Sequence, residues 1–563
     1  MTPTLQLFLV ISAALFSIGL LAVLSRRHAI FILIGIEMML AAANLNFIAF
    51  WRFSPQAQTP TGVMIAIFSI AGLLLLYQAS LVTGLHPDEA WNFLRVDEIA
   101  HGARPVQGMN SYTGPGFQYV LWPIFALFGA TISTLRITSA FLGLGTLGLW
   151  MWLLSFGDPR RPVGLRQGLL FATLPAFVLL SRFATEITTL VPFLCSLGLA
   201  LFWRAQMLER WPLAVGAGLA FALAAYTHAL AICFPAAVAI AYLVNTSKSD
   251  LRRKLPALGA MLGAFAAVFL GFAVLRFFKD PTSGGSRDAL RGMASFIFTK
   301  DCWMDLRNLP SILTRLLDGS LLYRRFVGEL SIPVWPWMSA LAVIACGGLW
   351  LTRKEGSFRF GRFLLTLALV LPVATAMITP RYADRYFFFA LLIVPAIIAI
   401  GLHGLAERFR IRPALVSGIV ILVSAANALM IWENYFAAFS MTGGGLGVFP
   451  MGDRLMETSD HFVSVQKLSE QLVREGVGQI VADEPIMLSL SYYSRREARS
   501  LGLKRAVVTY NGPNTWAGPV TTPPPVESFE EQGRRFVHRP DFDPHFKVYI
   551  EDEGAPGLAP LAR

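Results

Sequence analysis

Runs of about 20 apolar residues recur along this chain, the length a helix needs to cross the roughly 30 Å hydrocarbon core of a bilayer. In lipid every backbone N–H and C=O must be satisfied within the segment, so such runs fold as helices. They predict spans at 5–25, 29–51, 61–83, 132–155, 167–181, 186–203, 211–226, 229–244, 255–276, 333–351, 363–379, 386–402 and 413–432. Composition agrees, because 55% of the 563 residues are hydrophobic and only 15% charged, against about 25% charged in an average soluble domain. The expected fold class is a polytopic α-helical membrane protein.

The net charge of +12 does not point to nucleic acid, because Lys and Arg sit mostly in short loops between apolar runs. Those loops are 157–166 with Arg160, Arg161 and Arg166, 204–210 with Arg204 and Arg210, 245–254 with Lys248, Arg252, Arg253 and Lys254, 352–362 with Arg353, Lys354, Arg359 and Arg362, and 403–412 with Arg408, Arg410 and Arg412. All fall on one side, which the charge rule makes the cytoplasm. The opposite side receives the long segments 84–131 and 277–332. Of four Cys, Cys195, Cys233 and Cys346 lie in apolar runs and Cys302 in a polar segment, a pattern with no disulfide framework or metal-ligand spacing.

After Trp432 the apolar runs shrink to strand length, in "GQIVAD" at 478–483, "RAVVTYN" at 505–511 and "FKVYIEDE" at 546–553. "SVQKLSEQLVREG" reads as an amphipathic helix with a Gly stop, and "TTPPPVESFEEQG" as a Pro-rich acidic loop. The expected organisation is a hairpin at 1–55, a membrane domain at 61–432 and a small outer α/β domain at 433–563.

The stretch "GLHPDEAWNFLRVDEIAHGARP" at 84–105 places Asp88, Glu89, Asp97 and Glu98 directly after a span. A carboxylate at the lip of a membrane cavity suits a general base that takes a proton from an acceptor hydroxyl while a lipid-borne donor approaches from the bilayer. A neighbouring carboxylate can raise its pKa or orient it. The competing reading is that Asp88 and Glu89 only complement the dipole of a helix beginning there.

"HPDEAWNFLRVDEIAHGARPVQGMNSYTGPGFQYVLWPIFALFG", followed by "LRITSAFLGLGTL", resembles the first outer loop and next span of the GT-C glycosyltransferases of family 39. That group holds aminoarabinose transferases, protein O-mannosyltransferases and RgtA/B/C/D-like bacterial enzymes. The resemblance implies transfer of a sugar from a polyprenyl-phosphate carrier to a lipid, glycan or protein acceptor outside a bacterial inner membrane, with inversion. It makes Asp88 the catalytic base and Glu89 its neighbour. "LSRFATEITTLVPF" resembles the family's next outer turn, where Arg182 could bind a lipid phosphate beside Glu186, or the two could pair with each other. "AYTHALAICFPA" is similar to a turn in which the family often has Lys; His228 stands there, and it titrates near neutrality. "TPRYADRYFFFALLIVPAIIAIGL" resembles a late motif whose Arg381, Tyr382 and Arg385 would hold the carrier phosphate, or else anchor the interface. Segment 277–332, with Asp301, Asp305, Asp318 and Glu329, is an expected acceptor-recognition loop. A divalent metal is compatible with the family, although no ligand spacing demands one.

Residues 5–51 resemble something different, the first two helices of subunit K of NADH-quinone oxidoreductase, through "LF-IG", the Arg26-Arg27 turn and "IGIEMML-A-NL-F". The resemblance places Glu37 on a proton path, and an isolated carboxylate within a span is functional by default. The family's further Glu is missing from 61–83. Counting membrane crossings from Arg26 and Arg27 also puts Asp88 in the cytoplasm, opposite to the five later loops. The reading preferred over a proton-translocating subunit is a fusion with a truncated remnant in front. A non-catalytic scaffold carrying the outer domain is the third alternative, and it would tolerate loss of Asp88.

Overall fold

The computed structural model describes residues 5–25, 39, 42–43, 45–46, 49, 61–79, 85–108, 112–157, 161–279, 292, 295–327, 330–353, 355, 358–379, 384–438, 448–450, 462–482, 490–493, 504–510, 526–531, 534–542 and 546–552. Most of the expected span 29–51, with Glu37, lies outside them, as do Arg381 and Tyr382.

Six described helices are long and apolar enough to cross a membrane, and a bent pair makes a seventh. The chain is a multi-pass membrane protein. In chain order the helices begin with α1 (Leu5–Ser25), α2 (Thr61–Leu76), α3 (Pro87–Ala100), α4 (Gly116–Phe128), α5 (Ile132–Gly157), α6 (Arg161–Ala172) and α7 (Pro175–Arg182). They continue with α8 (Leu190–Leu208), α9 (Trp211–Thr227), α10 (Cys233–Val244), α11 (Lys248–Lys279), α12 (Lys300–Leu317) and α13 (Ser320–Val327). The last of the membrane part are α14 (Trp337–Leu351), α15 (Arg359–Ile378), α16 (Phe388–Leu391), α17 (Val394–Arg408) and α18 (Pro413–Ile431).

The departures from the hydropathy reading have local causes. The expected span 167–181 is the bent pair α6 and α7, which meet at 51°. Pro175 opens α7, and a proline there has no N–H with which to continue the preceding helix. Arg166, expected in a basic loop, is buried inside α6. Its Nη2 donates to the Pro413 carbonyl at 2.8 Å and its Nε to the Ser417 hydroxyl at 3.1 Å, so the cation keeps polar partners at the mouth of α18. Segments 84–131 and 277–332 hold α4, α12 and α13, which are too short or too polar to read as spans.

One apolar cluster runs through the bundle from Ile67 by Trp150, Phe177, Phe221 and Phe363 to Tyr435. Lipid tails are as apolar as Leu, so close backbone approach drives helix association in a bilayer. Between α14 and α17 a Cβ on Gly348 would lie 2.2 Å from the Gly401 carbonyl. No larger residue fits there. Beyond α18 the helix widens into a π turn, Trp432–Ala437, and this brings Tyr435 and Phe436 over the Arg182 guanidinium.

The C-terminal part is a five-stranded mixed sheet of order β3-β4-β7-β6-β5 with a separate two-stranded piece, β1-β2. The three expected strands appear as β3 (Val477–Ala482), β4 (Lys504–Tyr510) and β7 (Phe546–Glu551), and the helix as α19 (Val465–Arg474). Part of the expected acidic loop is instead strand β5 (Ser528–Glu531), paired antiparallel with β6 (Arg534–His538). Phe529 makes the difference: it stacks on Phe536 at 5.2 Å and meets Tyr549 edge-on. β1 (Val448–Pro450) and β2 (Phe462–Ser464) were not expected either. A second apolar cluster joins Leu85, Ala90, Phe93, Phe117 and Leu121 of segment 84–131 to Val465, Leu468, Leu472, Val508 and Val548 of this part.

Candidate active site

The sequence His-Pro-Asp-Glu starts α3 by several devices at once. Pro87 occupies the first turn, where a missing N–H costs nothing. The His86 Nδ1 accepts from the Asp88 N–H at 3.1 Å, while the Glu89 carboxylate accepts from the His86 N–H at 3.1 Å. This reciprocal pair is a capping box with His in the usual Ser or Thr position.

The cap points its two acidic residues in opposite directions. Glu89 faces the interior, and its side chain is 0% exposed. Its Oε1 accepts from Arg136 Nε at 2.9 Å and from the Ala184 N–H at 3.2 Å, and its Oε2 from Arg136 Nη2 at 2.7 Å. Arg136 also donates to the Ala79 carbonyl at 2.9 Å. Burial alone would push the Glu89 carboxyl up. The Arg136 cation, its hydrogen bonds and the two backbone N–H groups outweigh that and hold it below the ordinary carboxylate range. One turn on, Asn92 donates to the Ala184 carbonyl at 3.1 Å and is bonded to Gln118. The interior face of α3 is thereby tied to α5, to the α7–α8 turn and to α4.

Asp88 faces the other way. Its carboxylate accepts from Arg385 Nη1 at 2.7 Å, with side chains 15% and 10% exposed. Arg385 sits on a 3-10 turn, Asp384–Phe387, ahead of α16, with the Phe183 and Tyr386 rings about it. The Tyr386 hydroxyl lies 3.3 Å from that of Tyr112, and His228 lies 5.4 Å from the Tyr112 ring and 5.5 Å from the Tyr386 ring. Loop "YTGPG" reaches this wall because Gly114 runs against the end of α9, where its N–H donates to the Thr227 carbonyl. A Cβ on Gly114 would meet the Tyr226 carbonyl at 2.1 Å.

The remaining expected site residues divide. Glu186, in the α7–α8 turn, is partly buried with no ion pair to Arg182. Burial and the nearby Asp88 charge push its carboxyl up to about 7. His228 is buried, and its Nδ1 accepts from the Leu230 N–H at 3.3 Å. Burial, assisted by Arg385, lowers it to about 3, so it is a neutral imidazole and not the stand-in for a Lys cation. Arg182 is turned away from the outer surface into the core, donating to the Leu74 and Leu75 carbonyls at 3.0 and 2.8 Å. The second acidic pair, Asp97 and Glu98, is exposed, paired with His101 and Arg95. Among the described residues no three His, Cys, Asp or Glu side chains form a group that could hold a metal.

The sequence reading missed Arg136, Tyr112 and Tyr386. A signal for Arg136 existed, since an Arg at the start of an apolar span must find a partner. The pairing of Asp88 with Arg385, 297 residues away, left no trace in local pattern.

Two family models match the chain. Residues 112–272 match the dolichyl-phosphate-mannose-protein mannosyltransferases, and residues 7–81 match chain 4L of NADH-ubiquinone/plastoquinone oxidoreductase. NADH-quinone oxidoreductase subunit K of Desulfitobacterium hafniense is 40% identical over 78 residues, 14% of this chain and 71% of the relative. That of Chlorobaculum parvum is 46% identical over 63 residues, so the chain spans 57% of its length. Among solved structures, ArnT from Cupriavidus metallidurans bound to undecaprenyl phosphate covers 90% of this chain and 100% of its own at 13% identity, TM-score 0.54. The apo state of ArnT from Cupriavidus metallidurans covers 87% and 98% at 14% identity, TM-score 0.55.

The fold is that of the membrane enzyme ArnT, and residues 112–272 carry the similarity to the mannosyltransferases. The chain's front segment belongs to the subunit K family. The second match reaches further than the hairpin 1–55 first assigned to it, for it includes α2. The structure builds α2 into the helical core, where Ile67 packs on Gly168, Phe68 on Gly148 and Leu75 on Gly143.

Proposed function

We propose that this protein transfers a sugar from a polyprenyl-phosphate donor to an acceptor hydroxyl at the outer face of the membrane, with inversion at the anomeric carbon. The observation that carries the reading is the division of labour in one helical turn: Glu89 is fully engaged by Arg136, and Asp88 is left at the surface of a polar, aromatic-walled site beside Arg385. ArnT from Cupriavidus metallidurans, whose fold this chain shares, was solved with undecaprenyl phosphate bound.

In the proposed reaction the Asp88 carboxylate takes the proton of the acceptor hydroxyl as its oxygen bonds to the anomeric carbon. The bond from that carbon to the phosphate oxygen breaks, and the phosphate leaves with the electron pair. Arg385 exchanges Asp88 for the developing phosphate charge, for which a guanidinium is well matched. The Tyr112 and Tyr386 hydroxyls offer donors to the sugar, and neutral His228 supports their rings. Glu89 positions Asp88 and stays out of the chemistry. Arg182 ties α7 to α2 through its Nη1, which donates to the Leu74 and Leu75 carbonyls. Arg381 and Tyr382 remain assigned to the carrier phosphate by resemblance, and the outer segment with α12 and α13 to the acceptor.

The test is transfer of radiolabelled sugar from polyprenyl-phosphate donors into the lipid, glycan and protein fractions of membranes holding the parent or Asp88→Asn. Transfer by the parent that Asp88→Asn abolishes at equal expression supports the reading and names the acceptor fraction. Transfer surviving in Asp88→Asn overturns Asp88 as the base.

A further inference from the structure

We infer that the C-terminal part holds the catalytic loop through Tyr493, which acts as a positioning residue for Asp88; this rests on the function proposed above. A short helical turn at 490–493, between β3 and β4 in the sequence, packs on α3. Tyr492 packs on Phe93 at 4.4 Å between centroids, and Phe93 in turn stacks on Phe125 of α4 at 5.2 Å. Tyr493, 4% exposed, goes deeper. The Leu85 backbone N–H is hydrogen-bonded to its hydroxyl, and the ring lies within electrostatic reach of Glu89 and Arg136.

The position of this contact gives it leverage. Leu85 immediately precedes the His86 cap, so the Tyr493 hydroxyl fixes the chain where it turns into α3. Asp88 lies three residues on, and among the described residues its carboxylate meets the Arg385 guanidinium and the His86 ring. The interior of α3 is held by the Glu89 and Arg136 pair, and Tyr493 closes that pair from the C-terminal side. Leu85 and Phe93 belong to one apolar cluster with Leu468, Leu472 and Val508, so the sheet and the loop form one packed body. A residue placed 1 Å wrongly in such an assembly can cost a hundredfold in rate, and a hydroxyl is enough to set that placement.

The experiment compares purified, lipid-reconstituted parent, Tyr493→Phe and Val548→Ala. It reads kcat and KM for sugar transfer, thermal unfolding and amide hydrogen exchange over 85–93. Val548 is a buried residue of β7 in the same apolar cluster as Leu85 and Phe93, so its truncation loosens the packing and leaves the Tyr493 hydroxyl in place. Expected for Tyr493→Phe are a kcat lower by about tenfold with KM unchanged, and faster exchange at 85–93, from loss of one hydrogen bond. Val548→Ala is expected to lower the unfolding temperature and keep kcat. Unchanged kcat and exchange in Tyr493→Phe overturn the inference, as does a kcat loss that Val548→Ala reproduces. If the parent transfers no sugar, the underlying reading fails, and the exchange over 85–93 still decides whether Tyr493 holds the loop.

Discussion

The inner and outer faces of the first turn of α3 carry adjacent carboxylates in opposite circumstances. On the inner face Glu89 has no exposed surface and takes both its salt bridge and two backbone N–H groups. On the outer face Asp88 meets one guanidinium and partial solvent. A charge removed from water must be matched by partners or it destabilises the fold, so the inner carboxylate is fully committed to structure. The outer one keeps 15% of its side chain exposed beside Arg385. Adjacent residues of like chemistry are thereby set in different surroundings, one a strut and the other, in the proposed reaction, a reagent.

The largest effect is expected on the inner face. Arg136→Met leaves Glu89 buried without its cation and should cost about 3–5 kcal/mol of stability, seen as a lowered unfolding temperature or failure to accumulate. The outer face should respond in rate and not in stability: Asp88→Asn is expected to reduce transfer by about 10²–10⁴-fold, the usual worth of a general base, with unfolding unchanged. Acid should also distinguish the faces. Because Glu89 titrates below its ordinary value when folded, its contribution is complete above about pH 4.3 and is lost as the pH falls further. An acid-unfolding midpoint that Arg136→Met raises would agree.

Glu186 sharpens the comparison from a third position. Its folded pKa of about 7 exceeds the unfolded value near 4.3, so the folded state holds the proton more tightly. Its contribution to stability is present at acid pH and is lost as the pH rises towards about 7. Glu186→Gln should flatten stability across that window, and should remove any inflection in transfer rate near neutrality. A smaller effect belongs to Gly114→Ala, whose new methyl group must displace the Tyr226 carbonyl. A cost of about 1–3 kcal/mol is expected, together with weaker substrate binding as Tyr112 shifts.

The parts legible in the sequence are those whose cause is local. Hydropathy gives nearly every long span, because the bilayer imposes its own thickness, and the acidic pair after the span at 61–83 announces the site. The two roles within the pair were not legible: Asp88 and Glu89 are separated by Arg136 on α5 and Arg385 ahead of α16, and both contacts arise only when the bundle closes. Arg182 misled for the reverse reason. An Arg at the end of an apolar run suggests an anion site, yet its Nη1 donates to the helix-end carbonyls of Leu74 and Leu75 and the rings of the π turn lie over the guanidinium. Strand β5 escaped because the acids flanking Phe529 disguise the one residue that packs.

The measurement that meets the central claim most directly pairs sugar-transfer rate with thermal unfolding for Asp88→Asn and Arg136→Met in the same lipid. Asp88→Asn is expected to unfold like the parent and to transfer sugar about 10²–10⁴-fold more slowly, while Arg136→Met loses stability first and activity with it. Full transfer by Asp88→Asn, or an unaltered unfolding temperature in Arg136→Met, would contradict that claim.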